Sequence, residues 1–314
     1  MPSSRVRTFT EPADYAAAIR QGTHQLTITQ SGIFAAKLHR IDFHRLWMQR
    51  FSENLARTSH VDGWGGRAVI AFRTQPGPRL VRNGVELRPN SISQLSPGQN
   101  YYQHSSGPSS YGTMSLPLEE FASLSVAIAG RELRPPDVAT SITPTPIAMA
   151  KLQSLHAAAG LLAEEAPTVL SHPEAARGLE QALIQAMIDC LGGGEIREDK
   201  AAWRQHTTIM RRFHRVAEQH LDEPIYVAEL CRELGISERS LRLCCLEHLG
   251  MSPKRYLLLR RMHLFRKVLR ESTQAQTTVT EIATRYGFWQ FGRLAGEYKF
   301  LFGELPSATL ARPA

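Results

Sequence analysis

One pattern occurs twice in the last third of this chain: a short amphipathic helix, a glycine turn and a second helix, at residues 227–248 and again at 280–300, joined by a basic helix. These are two helix-turn-helix patterns in tandem. Mounted on a stiff connector, two such units can enter successive major grooves on one face of a duplex, about 34 Å apart. The pattern predicts an all-helical carboxy-terminal domain that binds DNA sequence-specifically. The charge agrees: of the net +8, residues from 203 onward carry +7, with 18 Lys and Arg against 11 Asp and Glu, while residues 1–202 are almost balanced. Positive charge concentrated on one third of a chain suits a domain that neutralises phosphates, although a merely solvated basic face has the same balance.

Residues 23–130 read differently. Short alternating segments such as Gln25-Leu-Thr-Ile-Thr29, Ile33-Phe-Ala-Ala-Lys-Leu-His39, Arg67-Ala-Val-Ile-Ala-Phe-Arg73 and Gly112-Thr-Met-Ser-Leu116 are separated by Gly, Pro, Asn and Ser, and Arg82-Asn-Gly-Val85 predicts a tight hairpin. A small sandwich or barrel is expected. From Pro146 the period becomes helical, through Ile147, Leu152, Leu155, His156 and Ala159, then Leu179, Ala182, Leu183, Ala186 and Met187 after Ser171-His-Pro-Glu174. Gly192-Gly-Gly-Glu-Ile-Arg-Glu-Asp-Lys200 predicts a flexible linker. The expected division is a barrel over 1–145, helices over 146–191, a linker over 192–202 and a helical domain over 203–314, an α+β chain overall.

No stretch approaches the roughly 20 apolar residues of a membrane span, and the start lacks the apolar core of a secretory signal, so a cytoplasmic location is expected. Cys190, Cys231, Cys244 and Cys245 have neither zinc-site nor disulfide spacing. On a helix Cys244 and Cys245 point about 100° apart, which suits one buried residue and one neighbour.

After a helix over 203–221, with Ile209, Phe213, Val216 and His220 inward, Asp222-Glu-Pro224 breaks the chain. Leu230, Leu234, Ile236, Leu241 and Cys245 are apolar where two steeply crossing helices would bury them, Gly235 supplies the turn and Ser237 caps the second helix. Arg239, Ser240, Arg242 and, partly, Leu243 remain outward. An arginine there reads guanine bidentately, for about 1–3 kcal/mol of discrimination, or holds phosphate only. Ser252 and Pro253 open the connecting helix over 254–270, where Arg260, Arg261, Arg266, Lys267 and Arg270 are expected on the free side. In the second unit residues 289–300 form the recognition helix, with Gly292, Arg293 and Gly296 outward.

Four motifs in order, Ile236-Ser-Glu-Arg-Ser-Leu241, Gly250-Met-Ser-Pro-Lys-Arg-Tyr256, Ile282-Ala-Thr-Arg-Tyr-Gly-Phe288 and Tyr298-Lys-Phe-Leu-Phe-Gly303 with Pro306-Ser307, resemble the signature of the AraC/XylS family of bacterial transcription regulators over about 203–311. The resemblance implies a degenerate cupin-like effector barrel ahead of the DNA-binding domain, and dimer formation through the helices around 147–163 and 173–191. It also implies base contacts at Arg239, Arg242 and Leu243, then at Gly292, Arg293 and Gly296. Leu243 and Gly296 depart from the long polar or basic residues common there, so the second unit is expected to hold mostly phosphate. Ser240, Lys254, Arg255, Gln290 and Lys299 complete the expected DNA-binding set.

The expected partners are double-stranded promoter DNA, RNA polymerase, a small-molecule effector and a second copy of the chain, with no cofactor and no membrane. Candidate effector-lining residues are Trp47, Trp64, Tyr101, Tyr102 and His104, with Phe43, although aromatics serve equally as core. A metal-dependent cupin enzyme is the alternative class. His39, His44 with Asp42, and His104 lack the close His-x-His spacing it would need, so no metal site and no catalytic residue is expected. An architectural DNA-binding protein without sequence preference is the third reading.

Overall fold

The computed structural model describes residues 2–20, 22–197, 201–220 and 225–312, except the side chains of 197 and 201–205. The amino-terminal half is β1 (Ser3–Phe9), α1 (Pro12–Ala18), β2 (Gly22–Ile28), β3 (Ala36–Asp42), β4 (Trp47–Glu53), β5 (Arg57–Gly63), β6 (Arg67–Arg73), β7 (Leu80–Arg82), β8 (Val85–Glu86), β9 (Ile92–Leu95), β10 (Tyr101–Ser105) and β11 (Ser109–Pro117). Then come α2 (Leu118–Ala129), β12 (Thr140–Thr143), α3 (Pro146–Glu165), α4 (Pro167–Ser171), α5 (Pro173–Gly192) and β13 (Glu195–Arg197). Two antiparallel sheets result, in the orders β1-β3-β4-β11-β6-β9-β12-β13 and β2-β5-β10-β7-β8. The expected hairpin joins β7 to β8, with Asn83 at φ 47° and Gly84 at φ 80°, the left-handed pair a two-residue turn demands.

The larger sheet is covered on both faces, and β11 is accordingly buried almost throughout, its serines and threonine included. Tyr111 and Phe51 face the interior between the sheets with Tyr15 and Leu38, while Met48, Met114 and Leu116 face α2, α3 and α5. The helical stripes at Leu152, His156 and Ala159 and at Leu183, Ala186 and Met187 are thus packed on the barrel. Ile147, expected in the same stripe, sits in the first turn of α3 and is 83% exposed. Inside the barrel, Arg57 donates to Glu53 at 2.8 Å, and Tyr15 and Ser109 donate to the same carboxylate at 2.8 and 3.0 Å, so this buried ion pair is fully hydrogen-bonded.

Gly192 ends α5 and Glu195–Arg197 extends the large sheet by pairing with β12, because a strand edge was free to accept it. Residues 198–200, like the break at Asp222-Glu-Pro224, lie outside the described residues.

The carboxy-terminal part is helical: α6 (Ala201–Gln219), α7 (Val227–Leu234), α8 (Glu238–Leu249), α9 (Pro253–Glu271), α10 (Val279–Arg285), α11 (Phe291–Phe302) and α12 (Pro306–Leu310). It has two cores. One gathers Phe213, Leu230, Leu241 and Tyr256; the other gathers Phe265, Ile282, Leu294 and Tyr298, and α9 contributes to both. Cys244 and Cys245 are both fully buried, not one of two, because α6 covers the side of α8 that a lone helix pair would leave open. On α9, Arg260 and Arg266 are not free. Arg260 donates to the Ala217 carbonyl at 2.7 Å and pairs with Glu218, and Arg266 bridges Glu304 and Glu11 at 2.9 and 3.2 Å. Among the described residues no helix is long and apolar enough to cross a membrane.

Candidate nucleic-acid interface

Local signals build both units alike. The Tyr226 N–H that opens α7 donates to Glu229 at 2.9 Å, Gly235 turns the chain at φ 65°, and the Ser237 hydroxyl accepts the Ser240 N–H at 3.1 Å to start α8. In the second unit Thr278 accepts the Glu281 N–H at 3.2 Å while Glu281 accepts the Thr278 N–H at 2.8 Å, and Gly287 makes the turn at φ 69°. The second recognition helix begins at Phe291, two residues later than expected, and leaves Trp289 and Gln290 ahead of it.

Leu241, Cys244, Cys245, His248 and Leu249 anchor α8, and Arg239, Arg242 and Leu243 stand exposed on its outer side, with Ser240 half-buried. Neither arginine is paired among the described residues, so both guanidinium forks are free for an acceptor. Lys254 and Arg255 are exposed in the first turn of α9. On α11, Leu294, Tyr298 and Leu301 face inward, leaving Gly292, Arg293, Gly296 and Lys299 exposed. Arg293 donates to Glu297 at 2.8 Å, which ties it down. Arg255 and Gly296 border one groove between α9 and α11. Trp289, 72% exposed just before α11, was missed; its only sequence signal was a large aromatic at a helix start that the apolar stripe did not need.

The residues expected to line an effector cavity divide. Between the sheets a narrow cavity of about 20 Å³, room for about one water, is bordered by Tyr101, Gln103, Arg82, His24, Phe51 and Tyr111. Of the expected set only Tyr101 is there. Strand alternation sends Tyr102 and His104 out of the other face of β10, Tyr102 into the core beside Phe213 and Tyr256, and His104 to the His248 carbonyl at 3.0 Å. Trp64 is 55% exposed in the turn after β5, Trp47 at the start of β4 is in contact with the guanidinium groups of Arg20 and Arg67, and Phe43 packs under the helices. In the cavity, Arg82 donates to Gln103 Oε1 at 2.6 and 3.1 Å, while Arg82 Nη1 and Gln103 Nε2 have no partner. Burial, and then Arg57 and Arg82, push the His24 imidazole down to about 3, so it is neutral.

Of the other histidines weighed, His39 bonds Glu164 at 3.0 Å and His44 is exposed. One convergence was invisible in the sequence. His60 and Asp62 on β5 meet His214 on α6, far away along the chain.

A family model described as "Helix-turn-helix domain" matches residues 230–312. The chain is 45% identical over 93 residues to the "Probable thc operon regulatory protein" of Rhodococcus erythropolis, covering 30% of this chain and 28% of that protein. It is 31% identical over 153 residues to "XylDLEGF operon transcriptional activator 1" of Pseudomonas putida, covering 49% and 45%. The match thus spans less than half the length of both curated relatives. Among solved structures, "a probable AraC family transcriptional regulator" from Rhodopseudomonas palustris is 32% identical, covering 34% of this chain and 99% of that one at a TM-score of 0.31. Across 83% of this chain and 94% of the other, the "AraC-like transcriptional activator CuxR" is 13% identical at a TM-score of 0.44. Through this carboxy-terminal domain, with its two capped helix-turn-helix units in the motif order of the family, the chain belongs to the AraC/XylS family.

Proposed function

We propose that this chain is a ligand-responsive, sequence-specific transcription regulator that binds promoter DNA through both helix-turn-helix units. The observation that carries the reading is the outer side of α8, where unpaired Arg239 and Arg242 stand beside apolar Leu243 on a helix whose back is locked in the core. Guanine O6 and N7 accept such forks, and a thymine methyl packs against a leucine. The second unit offers two glycines and a tethered arginine, which favours phosphate contact through Gln290, Arg293 and Lys299.

The effector is a small organic anion that enters the barrel by widening this narrow cavity. Arg82 Nη1 and Gln103 Nε2, buried donors without partners, are the groups a carboxylate would satisfy. β10 carries the signal: Tyr101 and Gln103 touch the ligand while Tyr102 and His104 touch the first unit from the opposite face of the same strand. The working units are the barrel over 1–145, the helices over 146–191, the connector over 192–202 and the DNA-binding domain over 203–314. A homodimer forms through α3, whose outer side keeps Ile147, Ala150, Ala157, Ala158 and Leu161 exposed. DNA-bound dimers act in the cytoplasm on RNA polymerase, with activation the commoner outcome in the family.

Selection of bound fragments from randomised DNA at two salt concentrations tests the reading. Two half-sites, each holding two contact blocks about one helical turn apart, are the expected result. Salt-sensitive binding with no recovered motif would refute it in favour of an architectural role.

A further inference from the structure

His60, Asp62 and His214 place one ligand atom each within 4.8 Å of one another, across the seam between β5 of the barrel and α6 of the helical domain. The two imidazoles lie face to face with ring centroids 3.3 Å apart, and they are only 2% and 8% exposed. Nδ1 of both rings lacks a hydrogen-bond partner, and the Asp62 carboxylate is 3.8 Å from His60 Nδ1, too far to satisfy it. Two idle buried nitrogens beside a half-exposed carboxylate are costly unless something else binds them.

The chemistry of the trio selects the occupant. Two imidazoles and one carboxylate suit a borderline divalent transition metal, whereas magnesium and calcium take oxygen donors. Burial holds both rings far below the ordinary histidine value, His60 to about 2 and His214 to about 4, so neither need lose a proton to ligate. Arg260 is the nearby cation, and its charge is already countered by Glu218. Three protein ligands leave the fourth position of a tetrahedral ion to water. Asp62, open on one side, gives an entry path.

We propose that His60, Asp62 and His214 form a binding site for a divalent transition-metal ion, zinc foremost, that clasps the barrel to α6. Zinc bonds of about 2.0–2.2 Å require the ligand atoms to close up and the stacked rings to turn about χ2. Because the ligands come from both sides of the seam, the ion binds only the docked arrangement and stabilises it by mass action.

The test uses the full chain, stripped by chelator, with cobalt(II) as a spectroscopic probe and zinc as competitor, and no nucleic acid present. It is therefore independent of the DNA-binding reading. One equivalent of cobalt with the visible bands of four-coordinate geometry, displaced by zinc, is expected, together with a higher melting temperature. His60→Gln and His214→Gln should each weaken uptake at least tenfold. Asp62→Asn, at a half-exposed position, keeps the test open should the buried variants fail to fold, and it too should weaken uptake; His44→Gln should not. Absence of saturable one-equivalent binding, or binding that survives all three ligand substitutions, would overturn the proposal.

Discussion

A single arginine separates the specific reading from the electrostatic one. If Arg239 reads a base, Arg239→Ala should cost about 1–3 kcal/mol on the preferred sequence and flatten preference at one position, as a binding competition across single-base variants would report. Lys254→Ala should instead weaken all sequences alike and lower the slope of log K against log salt by about 1. His248 supports a second residue-level expectation. It is fully buried with neither ring nitrogen bonded, and burial, then His206 and His104, push it down to about 4. The unfolded chain therefore takes up the proton first as pH falls below about 6.5, and native stability drops from there toward pH 4. His248→Leu removes that penalty, so its benefit should be small at pH 7 and grow to about 2 kcal/mol at pH 5, read from denaturant midpoints at both pH values. A benefit that did not change with pH would contradict the assignment.

Among the elements, β11 shows why a strand that reads simply in sequence is constrained on both faces. Gly112 lies under the His156 ring of α3, where a Cβ would come within 2.4 Å of the imidazole. That ring is itself fixed, with Nε2 donating to the Gln49 carbonyl at 3.2 Å and Nδ1 accepting from Arg50 at 3.3 Å. Gly112→Ala must push α3 off the sheet and should cost about 1–3 kcal/mol, visible as a lower melting temperature without loss of secondary structure. The helix-turn-helix elements were legible because their signals are local: Ser237 and Thr278 cap, Gly235 and Gly287 turn, and the apolar positions follow the helical period. α9 was legible only in part. Its period predicted the helix, but Arg260 and Arg266 face partners from α6, the residue before α1 and the segment before α12, which no window of sequence contains.

For the whole molecule, the decisive feature is that the barrel and the first helix-turn-helix unit share a packed seam. Tyr102 of β10 is buried among Met210, Phe213, Cys245 and Tyr256, and Thr58 donates to the Leu249 carbonyl at 3.0 Å. Tyr102→Ala should leave each half folded but loosen their docking, with a loss of about 3–5 kcal/mol from the emptied site. The expected readouts are two separate melting steps and a DNA affinity that no longer responds to ligands of the barrel; a single transition with the response intact would show that β10 does not couple the halves.

What the sequence determined by itself is what depends on neighbours along the chain: helical and strand periods, caps, the Asn83-Gly84 hairpin, and the identity of the outward residues on α8. What only the tertiary structure decided is which groups meet. The face of β10 that carries Tyr102 and His104 points at α6 and α8 and not into the cavity, and nothing in the alternation itself says which face is inside when both are buried. In the same way His60, Asp62 and His214 became neighbours only through the docking of α6 on β5, because chain folding sets their distance and local spacing does not.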